Sequence, residues 1–478
     1  MRLPALYQPC FISHPSHSCC QKERNQYNLI VMRTKQIDMV SGPLIRNIFR
    51  FSVPIMLADL LEVFFNSADA MIVGRFSGAS SLAAVGAASP ALVLFTWSLS
   101  GLALGANVLA AQLIGEGKKD QIEKAVHTAM WIAAVCGTLI SCFGVLAAPV
   151  ILKWMGVPPD IMSLSALYMR IYFLCCLPIA VFSFGAALMR ASGNSRTPTV
   201  YLGIAGALNV ILNMFFVIVL HMDVAGVAIA SVISQTLSAV LIVASLLKDE
   251  GSLRLEPSRL RCEKDCAKEI FRIGVPSALQ NSLFMFTNIA VQTSINSFGT
   301  TAVAANSAAN AVEEYVYIAL EGFTQASVTF TGQNAGAGNY SRIRHILITT
   351  ALFAGIFGAL IGCGGYAGGP FFLSFFTTEK AVMETGMIRL AIVTRFLFLN
   401  GVMDCFVASI RGMGYSLLPT VITMTGIMGF RILYIMTWFQ SHHTLDTLYL
   451  CFPLSWLITL AAQAVLWFIV YRKVTHHA

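Results

Sequence analysis

Between residues 48 and 471 the chain is an almost unbroken series of apolar runs, each long enough to cross a bilayer. A membrane helix needs about 20 mostly apolar residues, and inside lipid the backbone's polar groups are satisfied only within helices or a closed barrel. Barrel strands would show as alternating segments of about ten residues, and these runs do not alternate. The chain therefore reads as an all-α polytopic membrane protein. With 56% hydrophobic and only 11% charged residues, it is too poor in charge for a soluble enzyme of 478 residues. Twelve spans are predicted, at 48–73, 85–114, 125–147, 163–191, 197–220 and 224–247, then at 270–296, 303–331, 346–367, 381–411, 418–439 and 448–471.

Three motifs recur in the same order at a nearly constant offset. FRFSVP at 49–54 returns as FRIGVP at 271–276, AQLIGEGKKD at 111–120 as GQNAGAGNYS at 332–341, and LMRASGNSRTPTV at 188–200 as SIRGMGYSLLPTV at 409–421. Such ordered self-similarity marks an internal repeat. The expected organisation is a non-conforming N-terminal tail at 1–40, a first lobe of six helices at 41–247, a basic linker at 248–269 and a homologous second lobe of six helices at 270–478. An even number of spans in each half makes the repeat parallel, an arrangement that places a central cavity between the lobes and lets them rock.

The tail carries Cys10, His14, His17, Cys19 and Cys20 but lacks zinc-ligand spacing, and it lacks the apolar core of a secretory signal. It reads as a disordered tail, or as sequence ahead of a start at Met32 or Met39. Basic residues concentrate in alternate connections, chiefly Lys118, Lys119 and Lys124, then Arg190 and Arg196, the cluster from Lys248 to Arg272, and Arg472 with Lys473; the opposite loops offer Arg75, Lys153 and Lys380. By the positive-inside rule both termini face the cytoplasm of a bacterial-type inner membrane. The net charge of +8 is then topological, facing anionic lipid headgroups and not nucleic acid.

The first span holds the most informative polar residues. Asp59, Glu62, Asn66 and Asp69 lie three, four and three residues apart, within roughly 80° of one helix face. An acid at the centre of a membrane helix costs about 2.5–3.5 kcal/mol on insertion scales, so three in one span call for a wet, protein-lined cavity. The equivalent positions of the seventh span are Asn281, Phe284, Asn288 and Val291, where every acid is lost. A symmetric scaffold does not need that difference, which assigns the first lobe a specialised cation site. In the second lobe Asn306, Asn310, Glu313, Tyr317 and Glu321 share one face of the eighth span, and Asp404 lies inside the tenth.

Taken together, the repeat, NSADAMIVG at 66–74, MRASGNSRTP at 189–198 and AANSAANAVEEYVY at 304–317 resemble the multidrug and toxic compound extrusion (MATE) family of bacterial antiporters, over roughly residues 41–473. The resemblance implies that Asp69 is a principal site for protons or sodium. It also implies that Asn209 and Asn213 occupy the fifth-helix positions where the family has Asn and Asp, so the usual second acid is an amide here unless Glu62 or Asp59 replaces it. Asp404 matches a tenth-helix acid that some members use, and the seventh-helix acid of others is Phe284.

The expected coupling set is Asp69, Glu62, Asp59, Asn66, Asn209 and Asn213, and the expected substrate set is Glu313, Asp404, Asn310 and Tyr317. No cofactor is expected beyond the coupling ion, a proton or sodium. The function that follows is export of organic cations or amphipathic drugs by a monomeric secondary antiporter with two rocking lobes. A lipid-linked precursor flippase is the alternative; it needs a basic cavity, for which Arg170, Arg389, Arg395 and Arg431 are available. An intramembrane enzyme would need a nucleophile with a base or a metal set, and neither such a set nor a Walker loop is apparent. For Glu313 the competing reading is a structural hydrogen bond, and for Asp404 a salt bridge to Arg395 or Arg431.

Overall fold

The computed structural model describes residues 36–476, and every regular element among them is helical. Eight helices are long and apolar enough to cross a membrane, and the pair Pro159–Phe173 and Cys176–Ala191, bent by 41°, makes a ninth. Three more are as long, at 33, 33 and 37 residues, but more polar. In chain order the elements are α1 (Leu44–Phe76), α2 (Ala79–Glu116), α3 (Lys119–Trp154), α4 (the bent pair), α5 (Arg196–Val219) and α6 (Asp223–Leu247). The second half follows with α7 (Lys264–Asn296), α8 (Thr300–Gly336), α9 (Tyr340–Ala367), α10 (Lys380–Gly412), α11 (Leu417–Ser441) and α12 (Leu445–His476). The three polar helices are α1, α7 and α8, of which α1 and α8 carry the acid-bearing faces read from the sequence. The expected N-terminal tail and its Cys and His residues lie outside the described residues as far as residue 35.

The repeat persists in local geometry. α4 breaks between Phe173 and Cys176, and α10 breaks at the equivalent place, in a tight turn over Thr394–Phe396. Gly117 and its equivalent Gly338 close α2 and α8 at φ of 70° and 67°, the left-handed region that glycine enters without a Cβ clash. Pro54 and Pro276 lie inside their helices and not in the first turn, because α1 and α7 begin further upstream, at Leu44 and Lys264. The Thr199 hydroxyl donates to the Pro54 carbonyl at 2.7 Å, tying α1 to α5 there.

Each lobe has its own core, yet the first helices are exchanged at the end of the bundle where the basic connections lie, here termed the base. Ile48, Phe51 and Ile55 of α1 are buried in the core of the second lobe, while Ala267 and Ile270 of α7 are buried in that of the first. Further from the base α1 returns to its own lobe: Leu61 lies against Gly203 of α5, and the Phe65 ring fills the place a side chain on Gly206 would take. The lower part of α1, with Met56 and Ser52 against Gly322 of α8, brings Asp59 to the seam between the lobes, while Asp69 further along reaches α5 of its own lobe.

Two connecting segments also pack at the base. The linker is fastened to α3, with the Glu256 amide donating to His127 Nε2 at 2.9 Å and the Glu263 amide to Thr128 Oγ1 at 3.1 Å. Its Arg259 pairs with Glu123 and Glu256 at 2.5 and 2.9 Å, so part of the linker's charge is matched internally. Residues 37–42 form a strap ahead of α1. The Ile37 amide donates to the Gly193 carbonyl of the first lobe at 3.4 Å, Asn334 of the second donates to the Met39 carbonyl at 3.0 Å, and Arg342 donates to the Gly42 carbonyl. Within the strap the Ser41 hydroxyl and amide donate to Asp38, holding its carboxyl below the ordinary carboxylate range.

Candidate functional site

In the first lobe the structure joins Asp69 to both fifth-helix amides. Asn213 Nδ2 donates to Asp69 Oδ1 and to Asn209 Oδ1, the latter at 3.1 Å, and Asn209 Nδ2 donates onward to Ser231 Oγ of α6 at 3.4 Å. Asn213 is fully buried, yet its own Oδ1 has no donor. An acceptor oxygen without a donor, beside a carboxylate, is a ready ligand for a small hard cation. Tyr168 and Tyr172 of α4, with rings 5.8 Å apart, both lie in the field of Asp69, and Tyr172 also in that of Glu62. Glu62 and Asn66 are exposed on the same face of α1.

A second group of charges lies at the seam. The charges acting on Asp59 are Glu321, Glu62 and Arg190, and those acting on Asp404 are Glu321 and Arg411. Tyr317 feels Asp404, Glu321 and Asp59 together. Glu321 of α8 therefore acts on an acid from the first lobe and on an acid from α10, and its neighbour Gly322 is packed against Met56 and Ser52 of α1. Asn400 donates to Asp404 at 2.9 Å and Gln325 to Glu321 at 2.8 Å. Arg190 and Arg411 are equivalent residues of the repeat, and the Nε of each, like Oδ2 of Asp59, is buried without a hydrogen-bond partner. Asp59, Glu321 and Asp404, with Glu62 beside them, outnumber the two guanidiniums, so the group is net negative when all are ionised, which suits a cationic guest.

Sequence reasoning placed Glu321 on a polar face without singling it out, and took Arg190 for a loop charge. The available signal was that an arginine persists at equivalent positions in both copies of the third motif, at the edge of a predicted span. The tyrosines of α4 gave no signal of their own.

Glu313 and Asn310, expected to hold substrate, turn to Arg389 instead. Arg389 Nε and Nη2 reach the two carboxylate oxygens of Glu313 at 2.8 and 2.7 Å, Nη1 reaches Asn306 Oδ1 at 2.5 Å, and Nη2 also reaches Asn310 Oδ1 at 3.1 Å. Thr394 adds a hydroxyl at 3.3 Å. The structural reading of Glu313 thus describes what is seen, with an ion pair in place of a simple hydrogen bond. The alternative for Asp404 does not: Arg395 lies over the Tyr366 ring, while Arg431 donates to Ser455 at 3.0 Å and stacks on Phe452. Nor do the four arginines gather as a pyrophosphate cavity requires, since Arg170 and Arg395 are exposed and Arg389 is matched by Glu313.

Residues 54–215 and 276–437 each match the MatE family, so the family's unit occurs twice. The probable multidrug resistance protein YoeA of Bacillus subtilis is 26% identical over 394 residues, covering 81% of this chain and 85% of that relative. The probable multidrug resistance protein NorM of Thermotoga maritima is 22% identical over 396 residues, covering 81% and 84%. A solved structure described as the outward-facing conformation of a multidrug resistance MATE family transporter of the MOP superfamily matches with a TM-score of 0.84 at 20% identity, covering 93% of this chain and all of that one, a likeness of fold.

Proposed function

Because this chain belongs to the MatE family of multi-pass membrane transporters, we propose that it is a secondary active exporter of small organic cations or amphipathic drugs, driven by entry of protons or sodium ions. The observation that carries this reading is the seam cluster, in which Asp59, Glu321 and Asp404 share one electrostatic environment although they come from both lobes. A cation among these acids favours the lobe arrangement that keeps them together, and its departure removes that preference. The bias is no larger than the cation's differential affinity for the two arrangements.

Coupling runs through α1. A proton on Asp69, or sodium between Asp69 and Asn213 Oδ1, cancels the charge that Asn213 now meets. The outer half of α1 rests on α5 at that contact, so neutralisation frees it to repack. Asp59 lies about 15 Å further down the same helix, which carries the change to the seam. Asp404 and Tyr317 then serve the substrate with Glu321, while Glu313 and Asn310 hold Arg389. The base, with its basic connections, faces the cytoplasm.

Ethidium efflux from reconstituted vesicles, under proton and sodium gradients imposed separately, tests the proposal. Exchange driven by one gradient names the ion; exchange with neither overturns the reading in favour of a lipid-translocation assay. Glu321→Gln removes the α8 carboxylate from the seam and is expected to raise the ethidium concentration for half-maximal transport roughly tenfold. An unchanged value would place the substrate elsewhere.

A further inference from the structure

We propose that Gln112 and Gln333 are paired latches that hold the base of the seam shut, and that they part when the transporter opens to the cytoplasm. The proposal deepens the rocking mechanism above and rests on it. Gln112 Nε2 of α2 donates to the Gly412 carbonyl at the end of α10 at 2.8 Å, and Gln333 Nε2 of α8 donates to the Ala191 carbonyl at the end of α4 at 2.6 Å. Both bonds cross from one lobe to the other. Gln112 and Gln333 are equivalent in the repeat, and so are Ala191 and Gly412, so the two bonds are copies of each other related by the pseudo-two-fold axis.

The surrounding contacts obey the same symmetry. Gly115 is pressed against the Gln333 carbonyl, and its equivalent Gly336 against the Gln112 carbonyl, so closely that a methyl group on either would overlap the opposing oxygen. Between them Ala111 meets Gly332, its own counterpart, where the axis passes. This is the self-complementary geometry of an isologous dimer interface, built within one chain.

The chemistry suits a contact that must break and reform. The acceptors are carbonyls at helix C-termini, which lack partners within their own helices and accept from water once exposed. Exchanging each amide for water costs little net free energy, so the latch holds without trapping the protein. The glycine contacts add shape selectivity, because the backbones approach this closely only in the closed arrangement. At the other end of the seam Asn66 and Asn288 are exposed, and no matched closure of this kind is present among the described residues.

The test uses full-length protein in proteoliposomes, with genetically encoded non-cysteine spin labels at the exposed positions Lys119 and Ser341, and reads the interlobe distance distribution by pulsed resonance. Gln112→Met and Gln333→Met keep side-chain length and remove the donor. Each is expected to raise the open-base population about fivefold, by similar factors, and the double variant more than either. Gly115→Ala and Gly336→Ala are expected to open it further; should they fail to fold, the methionine pair still decides. Two distance populations indifferent to both methionine substitutions, relative to the exposed control Gln121→Met, would overturn the latch alone. A wild type with a single distance under every gradient, with or without ethidium, would overturn the rocking reading and the latch with it.

Discussion

Gradient-driven ethidium efflux is expected to fall roughly 100-fold when Asp69 is replaced by asparagine, the upper end of ordinary coupling free energies. Asparagine preserves the shape of the side chain and still offers Oδ1 to Asn213, so the packing of α1 on α5 is retained. What it removes is the group that alternates between charged and neutral, or that neutralises a sodium ion. Ethidium binding to the purified protein should change far less than transport, because the seam acids are untouched. Efflux at the wild-type rate under the same gradient would mean that coupling resides elsewhere, with Glu62 the next residue to substitute.

The largest effect on stability is expected at Arg389. It meets Glu313 through two hydrogen bonds in a nearly dry site and also serves Asn306 and Asn310. Arg389→Leu leaves the Glu313 carboxylate buried and unpaired, a loss of about 3–5 kcal/mol for a broken buried pair. Adding Glu313→Gln removes the stranded charge and should recover a substantial part of that loss. Thermal unfolding in detergent, compared across wild type, the single and the double variant, reads both effects. If Arg389→Leu were as stable as wild type and only drug binding were lost, Glu313 would return to the substrate site.

The span count, the duplication and the acid face of α1 were legible because each is local. Hydropathy runs give the helices, the offset between motifs gives the repeat, and three-and-four spacing puts Asp59 and Asp69 on one face. Partners were not legible. A polar face on α8 says that the helix turns away from lipid, but not that Glu313 meets Arg389 while Glu321, two turns on, lies in the field of Asp59 and Asp404. Those pairings join residues far apart in sequence, and only packing decides them. Arg190 was misread for a related reason: a charge at the edge of an apolar run scores as topology, although its long side chain reaches inward to the seam. The predicted first span begins at residue 48 and not at Leu44 because hydropathy does not register the turn of α1 that carries Arg46.

The exchange of first helices at the base bears on how the protein is made. Ile48, Phe51 and Ile55 complete the interior of the second lobe, and Ala267 and Ile270 that of the first, so neither half of the chain finishes its own core. During synthesis the first six helices are already in the bilayer while their interior still waits for α7, and the base end of α1, through Ile55, must remain undocked until α8 and the helices after it arrive. Folding is therefore cooperative across the duplication. A half produced alone would leave these apolar positions uncovered and pair with another copy to cover them. The unit that was repeated is half of the unit that folds.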